Sequence, residues 1–147
     1  MYQHLLVPVD GSELSERAID ASLELARRLG ASITAFIAEP PAPPPPAGYG
    51  TMGYVQAMKE HDVETAEHAS AVLKAFERRA GEAGVPFAGF YSRTQEVAAA
   101  IVEAARERGC DMIVMATHGR GAFGELLFGS QTKSVLARSN LPLLVLH

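Results

Sequence analysis

Residues 111–130, DMIVMATHGRGAFGELLFGS, carry the residue types and spacing best suited to binding chemistry in this chain. Residues 112–117 form an apolar, β-compatible run that His118 and Gly119 end, which predicts a buried strand running out into a loop. Glycines recur at 119, 121, 124 and 129, and Gly129-Ser130 leads into SQTKSVLARSN, a short amphipathic helix expected to turn Val135 and Leu136 inward and to end at Asn140. Strand, glycine-rich loop and helix N-terminus in that order suit an anion. Glycine lets backbone approach a phosphate, first-turn N–H groups point at it, and the helix dipole favours negative charge there. The stretch is neither of the common phosphate loops, since it lacks a GxGxxG after the first strand and the GK[ST] ending of the Walker loop.

A second polar group stands far away in sequence. Asp10 follows the run HLLVPV at the carboxyl end of the predicted first strand, the edge at which open α/β sheets hold their ligands. From chemistry alone Asp10 fits two roles equally, a carboxylate accepting from ribose hydroxyls or an Asx-turn with Gly11 and Ser12. His118 and Arg120 suggest acid/base and charge-stabilising roles, yet no carboxylate is visible to orient the histidine, and neither is assigned as catalytic. His61 and His68 lie seven residues apart, two helical turns, too far to chelate one metal unaided, so solvated histidines are expected. Cys110 is the only cysteine and is expected to be a small residue leading into a buried strand rather than a redox sensor.

The elements that must position these groups alternate along the chain. After the strand at 4–9, Ser12 is the expected N-cap of a helix with Glu13 and Glu16 in its first turn, Leu14, Ala18, Ala21, Leu25 and Leu29 on its inner face, and Gly30 at its end. A second strand, 32–39, completes a βαβ unit with parallel strands. From Pro40 the composition changes, with six prolines in seven residues and then glycines and tyrosines. This insert, about residues 40–58, is expected to be a polyproline II arm and a flexible loop, either a lid or docking site or, more simply, a surface connection. Residues 61–84 resume helical periodicity with Val63, Ala66, Ser70, Leu73, Phe76 and Ala80 along one face. A strand at 87–92 follows, then a helix from Thr94 with Val97, Ile101, Ala105 and the stem of Arg108 inside and Gly109 as its stop. The chain finishes on the strand PLLVLH. Such alternation predicts an α/β fold, a single three-layer Rossmann-like domain over residues 1–147, with a five-stranded parallel open sheet and helices on both faces. The last strand has no helix after it, and its apolar edge is a pairing liability that a homodimer would remove.

Composition bounds the function. At 147 residues and 48% hydrophobic the chain can bury one substantial core. The formal charge of −4 with no basic run argues against a nucleic-acid partner. No run of eighteen apolar residues and no signal-peptide pattern is present, so no membrane association and a cytoplasmic location are expected, as the single cysteine also suggests.

The nine residues between Gly119 and Gly129-Ser130, with a small residue at 116, closely resemble the G-x2-G-x9-G-[ST] nucleotide loop of the universal stress protein family. MATHGR…LLFGS and VPVDGS are similar to that family's wording, and the resemblance covers nearly the whole chain apart from the proline-rich insert. It implies ATP binding, with Mg2+ carried by the triphosphate. Pro8 would wall the base, Asp10 would bond the ribose, and Ile37 would offer backbone groups to adenine. Met115 and Ala116 would lie beside the sugar, Gly119 would let backbone approach the phosphates, and Gly129, Ser130, Gln131 and Thr132 would cradle them. The family's first loop glycine is Ala116 here, which sets a methyl group where ribose or phosphate approaches. A homodimer through the last strand is also implied. The expected function is a nucleotide-binding stress or signalling module with at most slow hydrolysis. The alternative is a dimeric interaction protein of the same fold without nucleotide, for which Ala116 is the best support. An adenylyl-transferring enzyme would need HxGH or SGGxDS near the first strand, and VPVDGSELS has neither.

Overall fold

Five short apolar runs pair side by side in the computed structural model, which describes residues 1–117 and 129–147. The expectations placed on His118, Gly119 and Arg120 lie outside the described residues. The strands are β1 (His4–Pro8), β2 (Ser32–Glu39), β3 (Phe87–Arg93), β4 (Met112–Ala116) and β5 (Leu143–Leu146), all parallel and ordered β3-β2-β1-β4-β5. The helices are α1 (Glu13–Leu29), α2 (Thr51–Ala83), α3 (Val97–Glu107) and α4 (Ser130–Arg138). Strands buried on both faces read as continuous apolar runs, which is why Leu5, Leu6 and Val7 are all fully buried. Leu5, Val7, Ile33, Ala35 and Ile37 pack under α1 and α2, whereas Leu6, Phe36, Ile113 and Met115 pack under α3 and α4. The expected three-layer α/β fold is the observed one.

Several local expectations need correction. Helix α1 buries Ser15, Ala18, Ile19, Ser22, Leu23 and Ala26, while Leu29 is 43% exposed. Two serines share the inner row, and each returns its hydroxyl proton to the helix: Ser15 donates to Ser12 O and Ser22 to Ile19 O. Small, internally satisfied hydroxyls let the helix approach the sheet without an orphaned donor, so counting apolar residues alone misplaced the face.

Helix α2 begins at Thr51, not near His61, so residues 51–58 are not a flexible loop. Past Gly50 no proline intervenes, and the Met, Gln, Ala, Lys and Glu of TMGYVQAMKE favour helix enough to absorb the roughly 1 kcal/mol that Gly53 costs. Its buried row is Thr65, Ala69, Phe76 and Ala80, with Val63 exposed. The proline-rich residues 40–46 have no regular structure and are largely exposed. Nor are the two histidines of α2 merely solvated. His61 Nε2 donates to the carbonyl of Pro40 at 2.9 Å, and His68 Nδ1 donates to Glu39 Oε1 at 2.6 Å.

In α4 Val135 is fully buried but Leu136, 100° further round the helix, is 63% exposed. Cys110 is buried against the α3 side, and burial pushes its thiol up to about 11, as suits a packing residue. Among the described residues no helix is long and apolar enough to cross a membrane.

Candidate functional site

The chain runs from β3 at one edge of the sheet, past β1, to β4 on its far side, so the order reverses between β1 and β4. Parallel sheets open a crevice at the carboxyl end of such a switch point. Here it is a cavity of about 320 Å³. Its walls are mainly apolar: Pro8 at the end of β1 and Val9 just after it, Phe36 and Ala38 from β2, Val97 and Ile101 from α3, and Met115 from β4. Polar groups enter from two helix starts, Asp10 and Ser12 before α1 and residues 129–132 at α4.

The two helix starts differ. Ser12 caps α1, its Oγ accepting from Ser15 N, and Glu13 and Glu16 already occupy the first turn. Asp10 Oδ1 in turn accepts from the backbone N–H and the hydroxyl of Ser12, at 2.9 and 2.5 Å. Burial pushes the Asp10 carboxyl up, but the hydrogen bonds from Ser12 outweigh it and hold the group below its ordinary value, so it is an anion at neutral pH. The Asx-turn is therefore present. It does not exclude a second role, because a carboxylate accepts at two oxygens.

Helix α4 has no side-chain cap and no acidic residue in its first turn. Gly129 N–H donates to Thr117 Oγ1 at 2.9 Å, which ties the end of β4 to the start of α4, and Lys133 N–H closes the first helical bond on Gly129 O. Gly129 is thus not a donor toward the cavity. The amides of Ser130, Gln131 and Thr132 are left, and among the described residues none of them has a hydrogen-bond acceptor. Three N–H groups with no acceptor among the described residues and the positive end of a helix dipole at a cavity wall suit an anion.

Of the residues expected from sequence, Pro8, Asp10, Met115, Ala116, Gly129, Ser130, Gln131 and Thr132 line this one cavity. Gly119 lies outside the described residues. Ile37 does not line it; its side chain is buried on the α1 and α2 face. Phe36 O accepts from Val9 N, and Glu39 O from Thr94 N, so strand alternation turns the backbone groups of Ala38 toward β1, beyond its last residue, and those of Ile37 toward β3. Thr117, Phe36, Ala38, Val97 and Ile101 were not anticipated as lining residues. A hydroxyl ending the apolar run 112–117 was the available signal for Thr117, and the i, i+4 spacing of Val97 and Ile101 for that wall. Among the described residues no group of three His, Cys, Asp or Glu could hold a metal.

Comparison with known proteins bears on the family and the fold. The family model described as the universal stress protein family matches residues 1–147. A Thermus aquaticus universal stress protein, named for its place 3′ of a QAH/OAS sulfhydrylase gene, is 32% identical over 147 residues, all of both chains. A solved structure of a universal stress protein family member from Burkholderia pseudomallei is 30% identical with a TM-score of 0.72, covering 99% of this chain and 96% of that one. A universal stress protein solved in complex with cAMP is 27% identical with a TM-score of 0.70, covering 99% and 97%.

Proposed function

We infer that this chain, which belongs to the universal stress protein family, binds an adenine nucleotide in the crevice at the carboxyl ends of β1 and β4. The observation that carries this is the start of α4, which has no side-chain cap, no acid in its first turn and, among the described residues, no acceptor for the amides of residues 130–132, at the wall of a mainly apolar cavity. A planar base suits the slot between Pro8, Phe36, Val97, Ile101 and Met115, with the Ala38 backbone placed to meet its edge. The Asp10 carboxylate accepts from the ribose hydroxyls, and residues 130–132 receive the phosphates. The relative solved with cAMP supports an adenine nucleotide as the ligand class. ATP is the nucleotide we assign, with Mg2+ carried by its phosphates, in a cytoplasmic stress-response or signalling module rather than a fast enzyme.

Mg-ATP at 100 times its Kd is expected to stabilise the protein by about 2.7 kcal/mol, or roughly 5–10 °C in a thermal-shift titration for a domain of this size. No shift at millimolar ATP would favour a dimeric interaction protein without nucleotide, the reading that Ala116 in place of glycine supports.

We also assign a homodimer joined through β5, which is an edge strand of the sheet. Ile113 N and Thr117 N donate to Pro142 O and Leu146 O, so the backbone groups of even-numbered residues face β4 and those of Leu143 and Val145 face outward. Val145→Pro therefore removes an outward donor and no β4 bond. It is expected to convert the dimer to monomer in sedimentation analysis with little loss of fold. A dimer that persists unchanged would place the interface elsewhere.

A further inference from the structure

Glu39 ends β2 with its side chain only 7% exposed, on the sheet face opposite the crevice, and neither the base slot nor the phosphate cradle uses it. A buried carboxylate needs a partner, and it has one in His68 of α2. With Nδ1 committed to Glu39, the opposite edge of the imidazole is directed at the turn between β1 and α1. A methyl group built on Gly11 would lie 3.0 Å from His68 Nε2 and 3.0 Å from Val72 Cγ2. Gly11 itself sits at φ +83, a conformation that L side chains seldom adopt, so neither backbone preference nor space tolerates a side chain there. The turn is thus seated against a half-exposed ring that the buried Glu39 carboxylate orients through Nδ1, as a carboxylate behind a metal-bound histidine orients that ring. The residue before Gly11 is Asp10 and the residue after is Ser12, which donates to it twice.

We propose that His68, oriented by Glu39, is a positioning residue that braces the β1–α1 turn through Gly11 and so fixes where the Asp10 carboxylate stands at the crevice. The proposal rests on the nucleotide reading of that crevice for its functional half. The brace acts from the opposite face of the sheet, since His68 is not among the crevice-lining residues.

The test is a double-mutant cycle read by calorimetric titration of Mg-ATP into wild type, His68→Ala, Asp10→Ala and the double variant, with amide spectra of the ligand-free, ¹⁵N-labelled proteins recorded in parallel. His68→Ala is expected to weaken ATP binding roughly ten-fold, and to cost nothing further once Asp10 is alanine. Equal losses in both backgrounds would overturn the proposal, since the histidine would then not act through Asp10. In the ligand-free spectra the Gly11 and Ser12 amide signals are expected to move or broaden in His68→Ala, and unmoved signals would overturn it too. Should wild type bind no ATP, the nucleotide assignment fails by itself, and these two amides still decide whether the brace exists. If His68→Ala does not fold because Glu39 is orphaned, His68→Asn keeps a donor for Glu39 while withdrawing the ring from Gly11. It is expected to shift the same two amides, and their staying in place would overturn the brace.

Discussion

Ser130→Glu is expected to abolish the ATP-induced thermal shift and weaken binding at least about a hundred-fold, while leaving the ligand-free protein slightly more stable. The opposed signs come from one cause. Ser130 is the first residue of α4, is exposed, and stands at a helix start with no side-chain cap and no acid in its first turn. A carboxylate there completes the dipole as Glu13 and Glu16 do in α1, worth about 0.3–1 kcal/mol. The same carboxylate occupies the electrostatic place of a phosphate and repels the one that arrives. Ser130→Gln, close in size but neutral, is expected to lose far less. Gly129→Ala is also expected to be mild, because Gly129 N–H serves Thr117 and, among the described residues, an added Cβ would meet only Thr117 Oγ1 at 3.6 Å. Thermal-shift titrations of the three variants check this. An undiminished ATP shift in Ser130→Glu would remove α4 from the phosphate site.

The parts of this architecture visible in sequence are those encoded by local chain chemistry. Strand ends show because glycine and proline bound the apolar runs, and helix ends show because Gly30 and Gly84 take the left-handed conformation, at φ 67 and 70, that ends a helix. Asp10 and residues 129–132 show because they stand at a strand end and a helix start, where open α/β sheets bind ligands whatever the details. Orientation is what stays hidden. In a run such as SITAFIAE, buried at all but Ser32 and Ala38, the period-2 signal is lost, so Phe36 and Ala38 cannot be told from Ile37 as the residues that turn toward the crevice. The inner row of α1 was hidden because two serines lie on it, and the early start of α2 because glycines and tyrosines there resemble loop. Glu39 and His68 could not be paired beforehand, since 29 residues separate them and only the packing of α2 on the sheet brings them together.

Two phenylalanines of equal size separate the scaffold from the site. Phe76 is fully buried and packs its ring 5.0 Å from that of Phe87, on the face covered by α1 and α2. Phe36 is 1% exposed and packs its ring, tilted, 5.0 Å from that of Phe90, but on the other face, where it also walls the crevice. Truncating either to alanine removes the transfer energy of a ring and leaves a cavity, about 3–5 kcal/mol, which lowers Tm by roughly 10 °C. Phe76 is one of only four buried residues of α2, so its loss loosens that helix with little local compensation. Yet Phe76→Ala is expected to keep most of the ATP affinity at a temperature where the variant is folded, since Phe76 does not line the crevice and His68, two turns before it in α2, keeps its bond to Glu39. Phe36→Ala is expected to lose stability by the same amount and, in addition, about ten-fold or more in affinity as the base loses its aromatic wall. Chemical denaturation paired with calorimetric ATP titration distinguishes the two. Undiminished affinity in Phe36→Ala would mean that the base does not lie against Phe36, and equal losses in both variants that a loosened α2 reaches the crevice through His68.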